Sequence, residues 1–193
     1  MRHAVCCGRR HMVERPAHPV LPSSQRRGLP RVGAIPIRPL APADLAPALA
    51  LNNASQPEVG GVAIHGLAGL VRQAVAADAA FDARGLCGLC IALAADARYD
   101  SLNFAWLRRR LRRFVYVDRI AVHPRAQGRG VGRCFYERVI AAAGPLPIVC
   151  EVNLRPPNPA SLAFHRRLGF CSIGRAWNPE HGKQVLFLRR DPR

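Results

Sequence analysis

The spacing of apolar residues in segment 117–144 predicts a buried strand, a short basic loop and a long helix. The segment begins with a β-branched run that suits a buried strand, and Pro124 ends that strand. After three glycines, apolar residues recur at helical spacing from Val131 to Ala142, and Gly144 ends the helix. We expect the rest of the chain to be arranged around this unit.

The other elements are predicted from changes of period, because strands alternate every two residues and helices repeat every ~3.6. The predicted elements are a strand at 34–40, helices at 42–52 and 64–77, a hairpin of 81–83 with 86–94, a helix capped by Asp100 or Ser101, a strand at 147–152, a helix from Pro159 to about Leu168, and closing strands at 170–175 and 185–189. This order predicts an α/β or α+β fold with a mixed sheet and helices on both faces.

The first 33 residues differ from the rest, since they are rich in Arg and Pro and show no period. This composition predicts a disordered N-terminal extension over residues 1–33 that carries no chemistry. Residues 34–193 are expected to form one domain.

The net charge of +17 is compatible with a nucleic-acid partner, a membrane surface or an anionic ligand. Of the 29 basic residues only Lys183 is a lysine, which indicates a bias in nucleotide composition. Nucleic-acid binding is therefore kept only as an alternative. No apolar run reaches the ~20 residues that span a membrane, so no membrane contact is expected.

The seven cysteines do not form a disulfide or zinc pattern. Cys87 and Cys90 lie on a predicted strand, where residues three apart face opposite sides, so we expect them to share no metal. No metal site is predicted, and the free thiols indicate a reducing, cytoplasmic location.

The glycine loop Gln127–Gly132 predicts a phosphate site, because the helix start after it points free N–H groups at one spot. A P-loop would need a lysine after the last glycine, but Arg133 stands there. A dinucleotide fingerprint needs an acidic residue about 20 positions further on, which Glu151 supplies. It also needs a third glycine at the position of Arg133, so this alternative is weaker.

The loop Gln127-Gly128-Arg129-Gly130-Val131-Gly132 resembles the Q/R-x-x-G-x-G/A signature of the GNAT superfamily of acetyltransferases. The preceding DRIAVHP is similar to that family's fourth strand, and NPASLAFHRRLGF resembles its second signature. The opening IRPLAPADL is also typical, and the resemblance covers about residues 34–189. It implies a mixed, mostly antiparallel sheet with splayed central parallel strands. It further implies acetyl-CoA-dependent N-acetylation of an amine by direct transfer in a ternary complex.

The resemblance also implies which residues hold acetyl-CoA. The backbone of the strand would bind the pantetheine arm. The N–H groups and arginines of the loop would bind the phosphates, and an asparagine would contact the thiol end. The residues expected to contact the coenzyme are Ile120, Val122, Arg125, Gln127, Gly128, Arg129, Gly130, Val131, Gly132, Arg133, Asn153 and Asn158.

The candidate catalytic residues are His165, Glu151 and Asp118. His165 stands where many family members have the tyrosine that protonates the leaving thiolate, and a histidine can donate a proton near neutral pH. Glu151 and Asp118 could position a water or accept a proton, or each could be a paired structural group. Because a histidine stands at position 165 in place of the usual tyrosine, a module that binds CoA without turnover stays an alternative.

The expected acceptor is a small-molecule or peptide amine, and a homodimer is compatible with the family.

Overall fold

The computed structural model describes residues 35–179 and 182–192. The helices and strands in this part of the chain are β1 (Ile37–Pro39), α1 (Leu45–Ala54), α2 (Ile64–Gln73), β2 (Ala74–Asp82), β3 (Gly85–Ala94), α3 (Leu102–Arg108), β4 (Val115–Val122), α4 (Val131–Ala143), β5 (Ile148–Arg155), α5 (Pro159–Arg167), β6 (Cys171–Asn178) and β7 (Lys183–Arg190). The predicted extension over residues 1–33 lies outside the described residues. Within the described ranges, no helix is long and apolar enough to cross a membrane.

The strands of the described residues form one seven-stranded sheet in the order β1-β2-β3-β4-β5-β7-β6. Neighbouring strands pair antiparallel, except that β4 and β5 run parallel. The register of the parallel pair joins only Val115 to Ile148 and Tyr116 to Val149, although both strands continue well beyond these residues. The central strands therefore splay apart. The predicted mixed, mostly antiparallel sheet with splayed parallel strands is confirmed.

Helices cover both faces of the sheet, as predicted. On one face, α1, α2 and α3 bury side chains such as Leu51, Leu67 and Phe104 in a first hydrophobic cluster. On the other face, α4 buries Phe135 in a second cluster, and Leu162 of α5 packs against it. Because the central strands lie between these two layers, the gap between β4 and β5 opens inside the domain rather than at a sheet edge.

The second helix ends earlier than its sequence pattern predicts. The backbone is already extended at Ala74, with φ −69° and ψ 139°, and β2 follows as far as Asp82. The prediction of a helix over 64–77 is therefore wrong beyond Gln73, and the first hairpin strand is longer than 81–83. Alanines dominate this stretch and fit either period, so the antiparallel pairing with β3 decides its structure.

The expectation that Cys87 and Cys90 face opposite sides of their strand is also wrong. Both side chains are buried in the second cluster. The register pairs Ala80 with Gly88 and Phe81 with Leu86, so Cys87 is an extra residue that shifts the alternation. Burial raises the pKa of both thiols. No group of three or more His, Cys, Asp and Glu side chains in the described ranges could hold a metal ion.

Candidate active site

The glycine loop joins the free end of β4 to the start of α4. Gly128 and Gly130 have φ angles of 73° and 83°, in the left-handed region that favours glycine. Gly130 lies directly before Val131, the first residue of α4. The first N–H groups of an α-helix have no acceptor within the helix, so the loop presents unpaired donors at the positive end of a 13-residue helix. This arrangement is suited to a phosphate group.

The third glycine of the loop has a packing role. A Cβ atom added at Gly132 would lie 3.0 Å from Cζ of Phe164, which is closer than side chains normally pack. Gly132 therefore lets α4 approach α5 closely. The first turn of α4 therefore packs against the middle of α5.

Two of the predicted phosphate-binding arginines already have carboxylate partners. Arg125 Nε lies 2.7 Å from Asp82 Oδ2, and its Nη2 donates to the Leu86 carbonyl at 3.0 Å, so it ties the loop to the β2–β3 hairpin. The bond from Arg125 lowers the pKa of Asp82, and the charge of Arg129 adds to this effect. Arg133 pairs with Glu137 at 2.9 Å on the exposed surface of α4.

The loop is also fixed to the strand that precedes it. Gln127 Nε2 donates to the carbonyl of Val122 at 3.0 Å. Ile120 and Val122 pair with β3 on one side, and they follow the point where the ladder between β4 and β5 ends. The other side of β4 therefore faces the gap at these residues, as the pantetheine-binding role would require.

A polar cavity of about 150 Å³ lies where the two strands separate. Its lining includes six of the predicted site residues, which are Asp118, Ile120, Glu151, Asn153, Asn158 and His165. The register pairs Ile91 with Arg119 and Ala92 with Val117, so Asp118 is a bulged residue of β4 next to the gap. The residues Gln127–Arg133 do not line this cavity, so the candidate site has two parts.

Glu151 has the most unusual environment in the cavity. Its Oε1 accepts hydrogen bonds from the Tyr116 hydroxyl at 2.9 Å and from Asn103 Nδ2 at 3.0 Å. Its Oε2 is buried and has no hydrogen-bond partner. Burial, reinforced by the charge of Asp118, raises the pKa of Glu151 to about 7. A carboxylate with one oxygen held and the other unpartnered, near neutral pKa, is suited to accept a proton.

Asp118 is engaged in a buried ion pair. Its Oδ2 lies 2.7 Å from Nε of Arg119, and both side chains are almost completely buried. Arg119 also donates from Nη1 to Asn52 Oδ1 at 2.9 Å, which connects β4 to α1. These contacts place Asp118 beside Glu151 as a charged neighbour whose own carboxylate already has a cationic partner.

His165 is buried, with both ring nitrogens in hydrogen bonds. Its Nδ1 lies 2.8 Å from the carbonyl oxygen of Ser161, and its Nε2 lies 2.7 Å from the Tyr136 hydroxyl. Burial lowers the pKa of His165, which favours the neutral ring. Asn158 caps the same helix by accepting from the Ser161 N–H at 3.0 Å. These contacts anchor the first turns of α5 beside the cavity.

Sequence reasoning missed several polar residues at this site, among them Asn103, Asn178 and Lys183. Asn103 holds Glu151, while Asn178 and Lys183 line the cavity from the end of the β6–β7 hairpin. Lys183 stood out as the single lysine among the 29 basic residues, but only as a sign of biased composition. Neither asparagine stands in a motif that would have marked it.

Comparison with known proteins agrees with this geometry. Residues 80–170 match the model of the acetyltransferase (GNAT) family. An L-2,4-diaminobutyric acid acetyltransferase from Nocardia farcinica is 28% identical over 101 residues, which cover 52% of this chain and 50% of the relative. The chain thus spans about half the length of that curated relative.

Solved structures show the same fold at low sequence identity. NAA60 of Arabidopsis thaliana, in complex with a bisubstrate analogue, matches with a TM-score of 0.65 and 16% identity, over 81% of this chain and 97% of that one. The ribosomal-protein-S18-alanine N-acetyltransferase of Escherichia coli matches with a TM-score of 0.60 and 16% identity, over 81% and 92%. The likeness to these structures shows that the chain shares their fold, and the splayed strands and the glycine loop agree with the acetyltransferase (GNAT) family match over residues 80–170.

Proposed function

We propose that this protein is an acetyl-CoA-dependent N-acetyltransferase that acts by direct transfer to a primary amine. The observation that carries the proposal is the position of Glu151. A buried carboxylate with a pKa of about 7 lines the gap between two splayed strands, and the phosphate-binding loop follows one of these strands. The gap has a phosphate-binding loop at one end and a proton acceptor at the other. This arrangement suits a long acyl donor whose phosphates bind at the loop while its acyl group reaches the acceptor amine near Glu151.

The residues present fit acetyl-CoA. The left-handed glycines Gly128 and Gly130 leave open space where side chains would otherwise project, and α4 directs its first N–H groups there. Arg129 adds positive charge, while Arg125 supports the loop through Asp82. When bound, acetyl-CoA supplies an acyl thioester that is activated for attack by an amine.

Glu151 is the proposed base. An acceptor amine must lose a proton before it can attack, since an ammonium has no lone pair. Glu151 Oε2 is the unpartnered oxygen, while Tyr116 and Asn103 fix the orientation of the carboxylate through Oε1. Asp118 acts by its charge, which raises the proton affinity of Glu151.

His165 is proposed as a positioning residue for α5 rather than as the acid. A carbonyl oxygen can only accept, so the contact with the Ser161 carbonyl assigns the ring proton to Nδ1. Nε2 then accepts from Tyr136. A neutral ring whose single N–H proton is already bound has none to give to a leaving thiolate.

The acceptor class that fits the cavity is a small-molecule or peptide amine. The lining carries both signs of charge, with Glu58 and Glu151 opposed by Lys183, so a polar acceptor with its own charges can be accommodated. The Nocardia relative is named for a small amino acid with two amines, which makes such compounds the first to test. A cytoplasmic location, where acetyl-CoA would be present, is part of the same proposal.

The test combines ligand stabilisation with turnover. Acetyl-CoA at about 100 times its Kd should stabilise the protein by about 2.7 kcal/mol in a thermal-shift assay. Free CoA should then appear in a thiol assay with at least one member of a panel of primary amines, including L-2,4-diaminobutyric acid and short peptides. Absence of any shift would contradict the proposal. A shift without turnover would favour a CoA-binding regulatory module.

A further inference from the structure

A row of residues crosses three strands of the sheet beside the cavity and begins at Glu151. The register pairs Glu151 of β5 with Phe187 of β7, and it pairs Phe187 with Gly174 of β6. Residues directly opposite each other in antiparallel strands project their side chains on the same face of the sheet. The proposed base is therefore the first member of a row that continues to the edge strand β6.

Two neighbouring side chains of α3 contact this row. Asn103 Nδ2 donates to Glu151 Oε1 at 3.0 Å. Trp106 stacks on Phe187, with ring centroids 4.0 Å apart and an angle of 8° between the ring planes. At Gly174, an added Cβ atom would lie 2.6 Å from Cη2 of Trp106, so the glycine leaves room for the indole ring. Because residues three apart on a helix are neighbours on its surface, the two contacts depend on one placement of α3.

A further contact holds α3 on the other side of β5. Phe104 packs its ring against Tyr116 of β4, with centroids 5.4 Å apart. Since β4 and β7 flank β5 in the sheet, α3 is held by Phe104 towards β4 and by Trp106 towards β7, with Asn103 reaching β5 between them. We propose, on the basis of the proposed role of Glu151, that Trp106 is a positioning residue, which holds α3 where Asn103 can reach that carboxylate.

This arrangement has a measurable effect on the base. A hydrogen bond donated to a carboxylate stabilises its charged form, so the bond from Asn103 lowers the pKa of Glu151 and opposes the effect of burial. When Trp106 leaves its place, Asn103 loses this bond and the pKa of Glu151 rises. Water that entered in place of Trp106 would instead lower the pKa, because burial is its main cause of elevation. The direction of the change therefore distinguishes positioning from mere exclusion of water.

The other titratable groups around Glu151 lie on several elements that pack against it. Those that interact with it electrostatically are Tyr99, Asp118 and Tyr116 of β4, Tyr136 of α4 and Cys150 of β5. Glu58, His165 and Lys183 line the same cavity. Burial raises the pKa of the three tyrosines and of Cys150, so these groups stay protonated while Glu151 titrates. All of these groups are kept in the variants compared below, so differences between the variants arise from α3 and its contacts.

The test measures the pKa of Glu151 by NMR titration of protein that is isotope-labelled at the carboxyl carbons of its glutamates. The signal of Glu151 is the one that is missing from Glu151→Gln. Asn103→Leu should raise the pKa from about 7 to about 8, as the loss of one hydrogen bond to a charged group allows. Trp106→Leu should change the pKa in the same direction. The double variant should titrate as Asn103→Leu does, because both substitutions remove the same bond.

Two further variants make this test decisive. Gly174→Ala should also raise the pKa of Glu151, because its methyl group displaces the indole ring without leaving a hole, and it replaces Trp106→Leu if that variant does not fold. Trp177→Leu is the matched control and should leave the titration unchanged, since Trp177 is the other tryptophan, lies on the same strand as Gly174 and is 58% exposed. A pKa that stays or falls when Trp106 is replaced or displaced, or a further change when Trp106→Leu is added to Asn103→Leu, would overturn the inference.

The titration needs neither acetyl-CoA nor an amine, so it separates this inference from the proposed function. The low-pH limb of kcat/KM should move with the NMR pKa of Glu151 in each variant. A pKa that moves while the limb stays would contradict Glu151 as the base and leave the positioning by Trp106 intact. A pKa that stays in the Trp106 variant, with the wild-type limb at about 7, would overturn the inference and leave the proposed function intact.

Discussion

The Tyr136 hydroxyl lies 2.7 Å from Nε2 of His165, and both side chains are almost completely buried. Since Nδ1 faces the Ser161 carbonyl, Nε2 carries the lone pair and Tyr136 donates to it. The bond connects α4, which starts at the glycine loop, to α5, which starts at Asn158. It therefore joins the two helices on one side of the splayed strands.

Tyr136→Phe should reduce stability rather than chemistry. The variant leaves Nε2 of His165 buried without a donor, which should lower the free energy of unfolding by about 1–3 kcal/mol. Urea denaturation measures this loss, and kcat should change little. Tyr116→Phe is the matched control, because the Tyr116 hydroxyl binds Glu151 and lowers its pKa. That control should shift the pH profile upward. A large drop in kcat for Tyr136→Phe at unchanged stability would assign His165 to proton transfer.

The rate should depend on pH through Glu151. Only the carboxylate can accept a proton, and the pKa of Glu151 lies at about 7, so kcat/KM should fall as the pH drops below 7. Glu151→Gln should remove this limb and lower kcat by about 100-fold or more. Steady-state rates from pH 5.5 to 9 measure both effects. A limb at the ordinary glutamate pKa, or a fully active glutamine variant, would exclude Glu151 as the base.

The raised pKa of Glu151 also predicts that the stability of the fold, unlike the rate, falls as the pH rises. The folded pKa of about 7 lies above the ordinary value of 4.5, so the folded state binds the proton more tightly than the unfolded chain. The contribution of Glu151 is therefore favourable below about pH 4.5, is lost as pH rises to 7, and stays lost above 7. At 1.36 kcal/mol per pKa unit the loss is on the order of 3 kcal/mol.

Glu151→Gln removes this titration while it keeps an oxygen for Tyr116 and Asn103. At pH 8 the variant should be more stable than the wild type by up to about 3 kcal/mol, and at pH 4.5 the two should be nearly equal. Urea unfolding of both proteins at the two pH values gives the difference, in which all other titrating groups cancel. Equal stability of the two proteins at pH 8 would show that Glu151 has an ordinary pKa.

The glycine loop should be sensitive to single methyl groups. Gly128→Ala and Gly130→Ala meet no neighbouring atoms, but they force a Cβ into the left-handed region at a cost of about 1–2 kcal/mol each. We expect a weaker thermal shift with acetyl-CoA, because the loop would leave the backbone conformation that directs its N–H groups at the phosphates. Gly69→Ala in α2 is the control, since a Cβ there makes only an ordinary contact at 3.7 Å from Arg72. Gly69→Ala should leave the acetyl-CoA shift unchanged.

The sequence predicted best those parts of the fold that local signals determine. The strand, glycine loop and helix of segment 117–144 are marked by β-branched residues and glycines, and the structure confirms them. The end of α2 was missed because alanines fit helix and strand equally, so the decision lies with the distant partner β3. The prediction that Cys87 and Cys90 face opposite sides was wrong because Cys87 is a bulged residue. A bulge depends on the pairing of two strands, which the local sequence does not show.

The site shows the same division. Glu151 could be selected from its place near the end of a strand, but its partner Asn103 lies 48 residues away in the chain. The raised pKa of Glu151 comes from burial among such distant elements. Asn178 enters the cavity from the last hairpin, and no local pattern predicts that hairpin's position. The glycine loop was accessible to sequence reasoning because it is contiguous, whereas the cavity is lined by residues from several separate elements of the chain.

Asn153 offers a direct test between two roles. By resemblance it is expected to contact acetyl-CoA, but its Nδ2 donates to the carbonyl of Pro57 at 2.9 Å, the same oxygen that accepts from Lys183 at 2.7 Å. The loop that carries Pro57 also contributes Glu58 and Gly60 to the cavity lining. We therefore expect Asn153→Ala to loosen the cavity wall, raise KM for the amine several-fold, and leave the acetyl-CoA shift unchanged.

A double-mutant cycle with Lys183→Met completes this prediction. Both side chains hold the same carbonyl, so the two substitutions should act on one contact and their effects should not add. Each single variant should raise KM for the amine, and the double variant should raise it by less than the product of the two factors. Effects that multiply would show that the two residues act independently. A loss of the acetyl-CoA shift in Asn153→Ala alone would instead assign Asn153 to the coenzyme, as the family resemblance implies.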